Sequence, residues 1–207
     1  MRFATRFVSV LALAFFSAVQ ARPQEAAPAA ASNLPVVVID TSKGQIKVEL
    51  FPEQAPESVK NFLQYVDDSF YDDTIFHRVI PGMLIQGGGF TPEIEEKPTR
   101  DPIALEADRG LANVRGAIAM ARTMERDSAR AQFYINVEDN PEFDRSGRGF
   151  GYAVFGRVID GLAVVDTIAR VQTSRRGPFD DIPILPVFIN SIRRAETTAE
   201  PTGTSRR

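Results

Sequence analysis

Residues 36–40 (VVVID) are apolar and mostly β-branched, residues 46–51 alternate apolar with polar, and Lys43-Gly44 between them is a turn signal. This pattern predicts a β-hairpin with one face on a core. The period then changes. Val59, Phe62, Leu63 and Val66 fall at i, i+3, i+4 and i+7, Pro56 suits a first helical position, and Glu57 complements the positive end of a helix dipole. A helix therefore follows the hairpin. A second helix is predicted over residues 161–171, where Leu162, Val165 and Ile168 recur every three residues. Between the helices lie short apolar segments broken by glycines: 74–81, 83–86, 116–121, 131–137 and 152–158. Residues 187–192 read as a closing strand. Many short strands with two helices predict a mainly β fold, a closed antiparallel barrel capped by the helices, although the pattern alone also admits a sandwich.

The two ends of the chain break this patterning. Arg2 and Arg6 precede an apolar stretch at 7–19, too short to span an about 30 Å hydrocarbon core comfortably. Val19-Gln20-Ala21 places small residues where a signal peptidase reads, so residues 1–21 are read as a signal peptide cleaved after Ala21. Residues 22–34 form an Ala/Pro-rich linker, and 196–207, without large apolar residues, a disordered tail. One folded domain is expected over 35–195. The expected location is outside the cytoplasmic membrane: the periplasm of a Gram-negative source, otherwise secreted, with no stable membrane insertion.

Composition removes most hydrolytic chemistry. The 207 residues include no cysteine and a single histidine, His77. Thiol nucleophiles, disulfides and Cys- or three-His metal sites are excluded. The net charge of −3, without a dense basic patch, argues against nucleic acid.

The densest unusual segment is residues 76–90 (FHRVIPGMLIQGGGF). In a regular strand Phe76, Arg78 and Ile80 share one face and His77 turns away from Arg78, as a hydrogen-bonded core histidine. An arginine among apolar neighbours is costly to bury unpaired, so Arg78 sits at a solvated cleft or meets a partner. In residues 131–136 (AQFYIN) alternation puts Gln132 and Tyr134 on one face and sends Phe133 and Ile135 to the core. With Arg78 and Gln86, the former pair could line a groove that grips a peptide backbone and one apolar side chain.

FHRVIPGMLIQGGGF resembles the signature segment of cyclophilins. Residues 120–140 (MARTMERDSARAQFYINVEDN) resemble the family's central substrate-binding region, and 151–161 (GYAVFGRVIDG) the strand and turn leading into its last helix. The likeness, bacterial and exported in flavour, covers most of 35–194. It implies an eight-stranded antiparallel barrel with two capping helices and peptidyl-prolyl cis-trans isomerase activity, with no cofactor or metal. Arg78 takes the catalytic position, with Gln86 beside it. Met83, Leu84, Tyr134 and Phe143 fall on the proline pocket, and Ala121, Arg122 and Gln132 on peptide contacts. Tyr152 stands at a pocket position often held by histidine. Gly89 replaces an acid common after the second glycine of QGG. The implied partners are proline-containing unfolded or partly folded polypeptides, and the implied state is a monomer.

Other classes are weighed beside this. A chaperone module that holds proline-containing segments without turnover would not need Arg78. A lipocalin-type carrier needs a hollow barrel, whereas Phe133, Ile135, Val154 and Phe155 are large enough to fill one. A serine hydrolase lacks a nucleophile-elbow serine near His77.

Overall fold

The computed structural model describes residues 34–146 and 149–195. The signal peptide and tail read from the sequence, and all of the linker except Leu34, lie outside the described residues. The strands are β1 (Val36–Thr41), β2 (Gly44–Leu50), β3 (Thr74–Ile80), β4 (Leu84–Gly87), β5 (Ala117–Met120), β6 (Phe133–Asn136), β7 (Val154–Asp160), β8 (Thr173–Arg176), β9 (Phe179–Pro183) and β10 (Phe188–Arg194). The helices are α1 (Pro56–Asp67) and α2 (Leu162–Ala169). Eight strands close into an antiparallel barrel in the order β1-β10-β3-β4-β6-β5-β7-β2, and β8 and β9 form a separate hairpin. The mainly β barrel expected from the pattern is the fold observed.

The barrel interior is solid. Ile39, Ile46, Leu50, Ile85, Ile118, Phe133, Ile135 and Phe155 are fully buried in one cluster, joined by Val59, Phe62 and Val66 of α1 and by Val165 and Ile168 of α2. Phe62 anchors α1 through ring contacts with Tyr71, Phe133 and Phe155 at 5.3, 5.7 and 5.1 Å. Burying one such ring stabilises the fold by about 1.5–3 kcal/mol. Val154, expected inside, instead faces outward into a second cluster, because the side chain of its neighbour Phe155 takes the inward direction. Leu162, expected on the buried stripe of α2, is on the surface.

Helix α1 begins without a side-chain cap of its own. Its first turn is capped from far along the chain. The Glu106 carboxylate, itself buried, accepts the Glu57 N–H at 3.1 Å, and the Ser58 N–H and hydroxyl at 2.8 Å each. A carboxylate at this end satisfies otherwise orphaned N–H groups and complements the dipole.

Strand β3 departs from simple alternation. Phe76 pairs with Gly87 and Arg78 with Gln86, so two steps on β3 match one on β4. His77 is the extra residue of this β-bulge. Phe76 therefore turns into the interior, 6.3 Å from the Phe133 ring, and does not share a face with Arg78. His77 and Arg78 both end on the outer side, in the wall of one cavity. The histidine is buried as expected, but it lies beside Arg78 on the outer side and is not turned away from it. Its Nδ1 has no hydrogen-bond partner among the described residues.

Candidate active site

The outer face of β3, β4, β6 and β5 carries the candidate residues in one cross-strand row. Arg78 pairs with Gln86, Gln86 with Tyr134, and Tyr134 with Ala119. Neighbouring strands lie about 4.7–4.9 Å apart. A cation, an amide and an aromatic ring therefore stand in sequence across two strand spacings. Each strand's inward neighbours, such as Val79, Ile85, Ile135 and Ile118, fix this face by burying the opposite one.

Next to Arg78 the row is polar. Arg78 is exposed and makes no hydrogen bond or ion pair among the described residues. Gln86 donates its side-chain N–H to the Gln132 carbonyl oxygen Oε1 at 2.9 Å. Gln132 reaches that position because residue 89 is glycine. A Cβ there would lie 2.4 Å from Gln132 Cγ.

Beyond Gln86 the face becomes apolar. Leu84 and Tyr134 are buried with Ala117, Ala119 and Val154, and Met83, Ala121, Phe143 and Tyr152 pack against them half-buried. Tyr134, Phe143 and Tyr152 form an edge-on triangle of rings, with centroids 5.7, 5.6 and 5.4 Å apart. Met83 follows the turn at Gly82, whose φ of 71° is the left-handed conformation glycine takes without strain. The small Ala117 and Ala119 leave room for these larger side chains to lie over the sheet.

A buried polar network beneath this cluster was not anticipated from sequence. The Tyr134 hydroxyl donates to Asn113 Oδ1 at 2.7 Å, and Asn113 donates its backbone and side-chain N–H groups to Asp144 Oδ1 at 2.7 and 2.9 Å. Asn136 Nδ2 also reaches Asn113, and Asn140 Nδ2 donates to Asn136 Oδ1 at 2.7 Å and to the Met83 carbonyl at 3.0 Å. The network ties the segments that carry Met83, Tyr134 and Phe143 to one another. Burial pushes the Tyr134 phenol well up, with the Tyr152 phenol and Asp144 adding to the effect and Arg122 opposing it. Its signal in the sequence was three asparagines in or beside apolar segments, which buried sites accept only when hydrogen-bonded.

Arg122 is occupied by its own chain. Its Nε donates to the Gly151 carbonyl and Nη1 to the Thr123 carbonyl, both at 2.8 Å, and the guanidinium lies 4.6 Å from the Tyr152 ring centre. It braces the segment carrying Tyr152. The Ala121 N–H is likewise taken, by the Gln132 carbonyl at 3.0 Å. Ala121, Arg122 and Gln132 line, with Gln86, a cavity of about 360 Å³ beside the apolar cluster. The candidate residues thus lie on one face, with Gln86 turned to Gln132 in place of Arg78. Among the described residues, no group of His, Asp and Glu is arranged to hold a metal ion.

Comparison with known proteins gives a concordant result. The family model described as cyclophilin type peptidyl-prolyl cis-trans isomerase/CLD matches residues 36–193. Peptidyl-prolyl cis-trans isomerase A of Dickeya dadantii (strain 3937) is 49% identical over 187 residues, covering 90% of this chain and 93% of the relative. Peptidyl-prolyl cis-trans isomerase B of Escherichia coli (strain K12) is 49% identical over 164 residues, covering 78% of this chain and all of the relative. Among solved structures, the cyclophilin type isomerase of Cryptosporidium parvum, crystallised in the presence of the dipeptide Ala-Pro, superposes with a TM-score of 0.68 at 29% identity. The match covers 77% of this chain and 98% of that one.

Proposed function

Because the chain belongs to the cyclophilin-type peptidyl-prolyl cis-trans isomerase family, we propose that it accelerates X-Pro rotation in exported polypeptides, with Arg78 as the group that stabilises the twisted bond. The chain is a peptidyl-prolyl cis-trans isomerase by its family membership. The observation that carries the mechanism is the row Arg78–Gln86–Tyr134, in which an unpaired guanidinium adjoins a buried apolar and aromatic cluster.

Rotation about a peptide bond breaks its resonance, and the barrier is about 18–20 kcal/mol. Uncatalysed X-Pro exchange then takes tens of seconds or more. As the bond twists, the imide nitrogen becomes pyramidal and its lone pair is freed. Arg78 donates to that nitrogen, or to the prolyl carbonyl nearby, and the interaction is strongest at the twisted geometry. This is transition-state stabilisation without bond making. Met83, Leu84, Tyr134 and Phe143, backed by Tyr152, hold the proline ring still while the preceding carbonyl turns. Gln86 and Gln132 present amides to the peptide backbone, Ala121 offers its carbonyl, and Arg122 acts by fixing Tyr152. The Ala-Pro dipeptide present with the Cryptosporidium parvum relative supports a proline-sized pocket of this kind. The protein works as a monomer on partly folded clients. The residue 1–21 pattern supports delivery outside the cytoplasmic membrane, to the periplasm in a Gram-negative source.

Exchange spectroscopy on an Ala-Pro tetrapeptide tests the pocket. Tyr134→Ala is expected to weaken acceleration, chiefly through KM, and unchanged kinetics would contradict the assignment. Export is tested by cell fractionation and by the N-terminal sequence of the recovered protein. A mature start at Arg22 is expected, and an intact Met1 in the cytoplasm would contradict it.

A further inference from the structure

Beside the Gln86–Gln132 pair, on the side away from Ala121 and Arg122, lies another cavity of about 380 Å³. Its wall includes His77, Arg78, Phe90, Phe179, Asp180 and Asp181. The last three belong to the β8–β9 hairpin, which stands outside the barrel sheet. Gln86 and Gln132 line both cavities, so the pair forms the partition between them. A polypeptide gripped at Arg78 and Gln132 therefore runs past this second opening.

We propose that this cavity is a side-chain subsite for a lysine or arginine that neighbours the proline of the client, recognised by Asp180 and Asp181. The subsite rests on the isomerase reading of Arg78 given above. Three independent features favour a cation. Asp181 makes no ion pair or side-chain hydrogen bond among the described residues, and Asp180 meets only the exposed Arg175, at 3.4 Å. The half-buried ring of Phe179, held edge-on 5.4 Å from the buried Phe90, lines the same wall, and aromatic faces attract cations. His77, only 5% exposed, carries the orphaned Nδ1 in the same wall.

Burial first, and then the charge of Arg78, pull His77 down to about 4, against a backbone hydrogen bond at Ile75. The ring is therefore neutral near pH 7, and a neutral imidazole keeps one nitrogen as an acceptor. A cationic side chain offers donors to the two aspartates, which belong to the β8–β9 hairpin and not to the barrel sheet that carries Arg78. An acidic side chain would meet the two aspartates, and would pair with Arg78 and withdraw it from the imide. Asp181 has a φ of 61°, a conformation that aspartate and asparagine tolerate better than most residues. Asparagine is thus a suitable neutral replacement there.

The test uses the full chain and short proline peptides in which each of the two residues on either side of proline is in turn Lys, Met or Glu. At one position Lys is expected to exceed Glu in kcat/KM by roughly two- to five-fold, as suits a partly exposed charge pair. That ratio falls towards one in the Asp180→Asn/Asp181→Asn variant and in high salt. Equal rates for Lys and Glu at every position in the wild type, which needs no variant to fold, overturn the subsite. So does a Lys preference that persists unchanged in the folded double variant. Failure to accelerate any peptide, the Met series included, overturns the isomerase reading and the subsite with it.

Discussion

Gln86 stands opposite Arg78 in the β3–β4 register, yet it gives its side-chain N–H to Gln132 Oε1, 2.9 Å away. The arginine is consequently left without an ion pair or hydrogen bond among the described residues. An unpaired guanidinium on a solvated face costs little, and it is available to a substrate. The Gln86–Gln132 bond also divides the polar groove into its two cavities.

That bond depends on Gly89. A methyl group at residue 89 would sit 2.4 Å from Gln132 Cγ, so Gly89→Ala must displace the Gln132 side chain. Because a flexible side chain can move, stability is expected to change by less than about 1 kcal/mol. The expected kinetic effect is a rise in KM with little change in kcat, because Gln132 is assigned to backbone gripping. Steady-state kinetics on a proline tetrapeptide checks this, and an unchanged KM would remove Gln132 from the peptide-binding surface.

Asn113→Ala should strip the Tyr134 hydroxyl of its acceptor while leaving it buried. Such an orphaned group costs about 1–3 kcal/mol. Denaturant unfolding should report a loss of that size, and Tyr134→Phe in the same background should recover part of it. Equal stability of wild type and Asn113→Ala would mean that the network does not hold the aromatic cluster.

Glu106→Ala removes three hydrogen bonds from the first turn of α1. Loss of a helix cap costs about 0.5–2 kcal/mol. Hydrogen exchange should speed up at Ser58 and Val59 before the rest of the helix. Uniform protection along α1 would show that the cap is dispensable.

His77 carries a pH prediction with a definite sign. Its folded-state value lies near 4, against 6.5 for an ordinary histidine, so between those limits the unfolded chain binds a proton that the folded chain does not. Stability linked to this group is therefore fully present above pH 6.5 and is lost as pH falls towards 4. At about 1.36 kcal/mol per pH unit, the loss amounts to roughly 3 kcal/mol. Carboxylates also weaken the fold on acidification, Asp67 among them, held low mainly by its hydrogen bond from Arg194. The informative quantity is thus the difference between wild type and His77→Leu, whose stability should fall less steeply over that window. Parallel curves would contradict the burial argument.

Much of the fold was legible because its determinants are local. Alternation at residues 46–51 and the apolar spacing from Val59 to Val66 each name their element without outside help. Gln132 and Tyr134 were correctly opposed to Phe133 and Ile135 for the same reason. What failed was set by distant partners. The bulge that puts His77 beside Arg78 arises from pairing between β3 and β4, and period-two reasoning on one strand has no access to it. The Glu106 cap joins residues 48 positions apart to Ser58. The β8–β9 hairpin, TSRRGPFDDIP, is mostly polar, and Gly177-Pro178 was its one local signal. Its contribution to the groove wall could not be read from patterning.

Arg78→Ala tests the central claim most directly. Arg78 is exposed and unpaired among the described residues, so circular dichroism and unfolding midpoints should be indistinguishable from wild type. The rate of cis-trans exchange in an Ala-Pro tetrapeptide should nevertheless fall by roughly 10²–10³ in kcat/KM, the usual loss when a preorganised transition-state donor is removed. A folded Arg78→Ala protein within about two-fold of wild type would contradict the account, and would place the stabilising group elsewhere on the Gln86–Gln132 face.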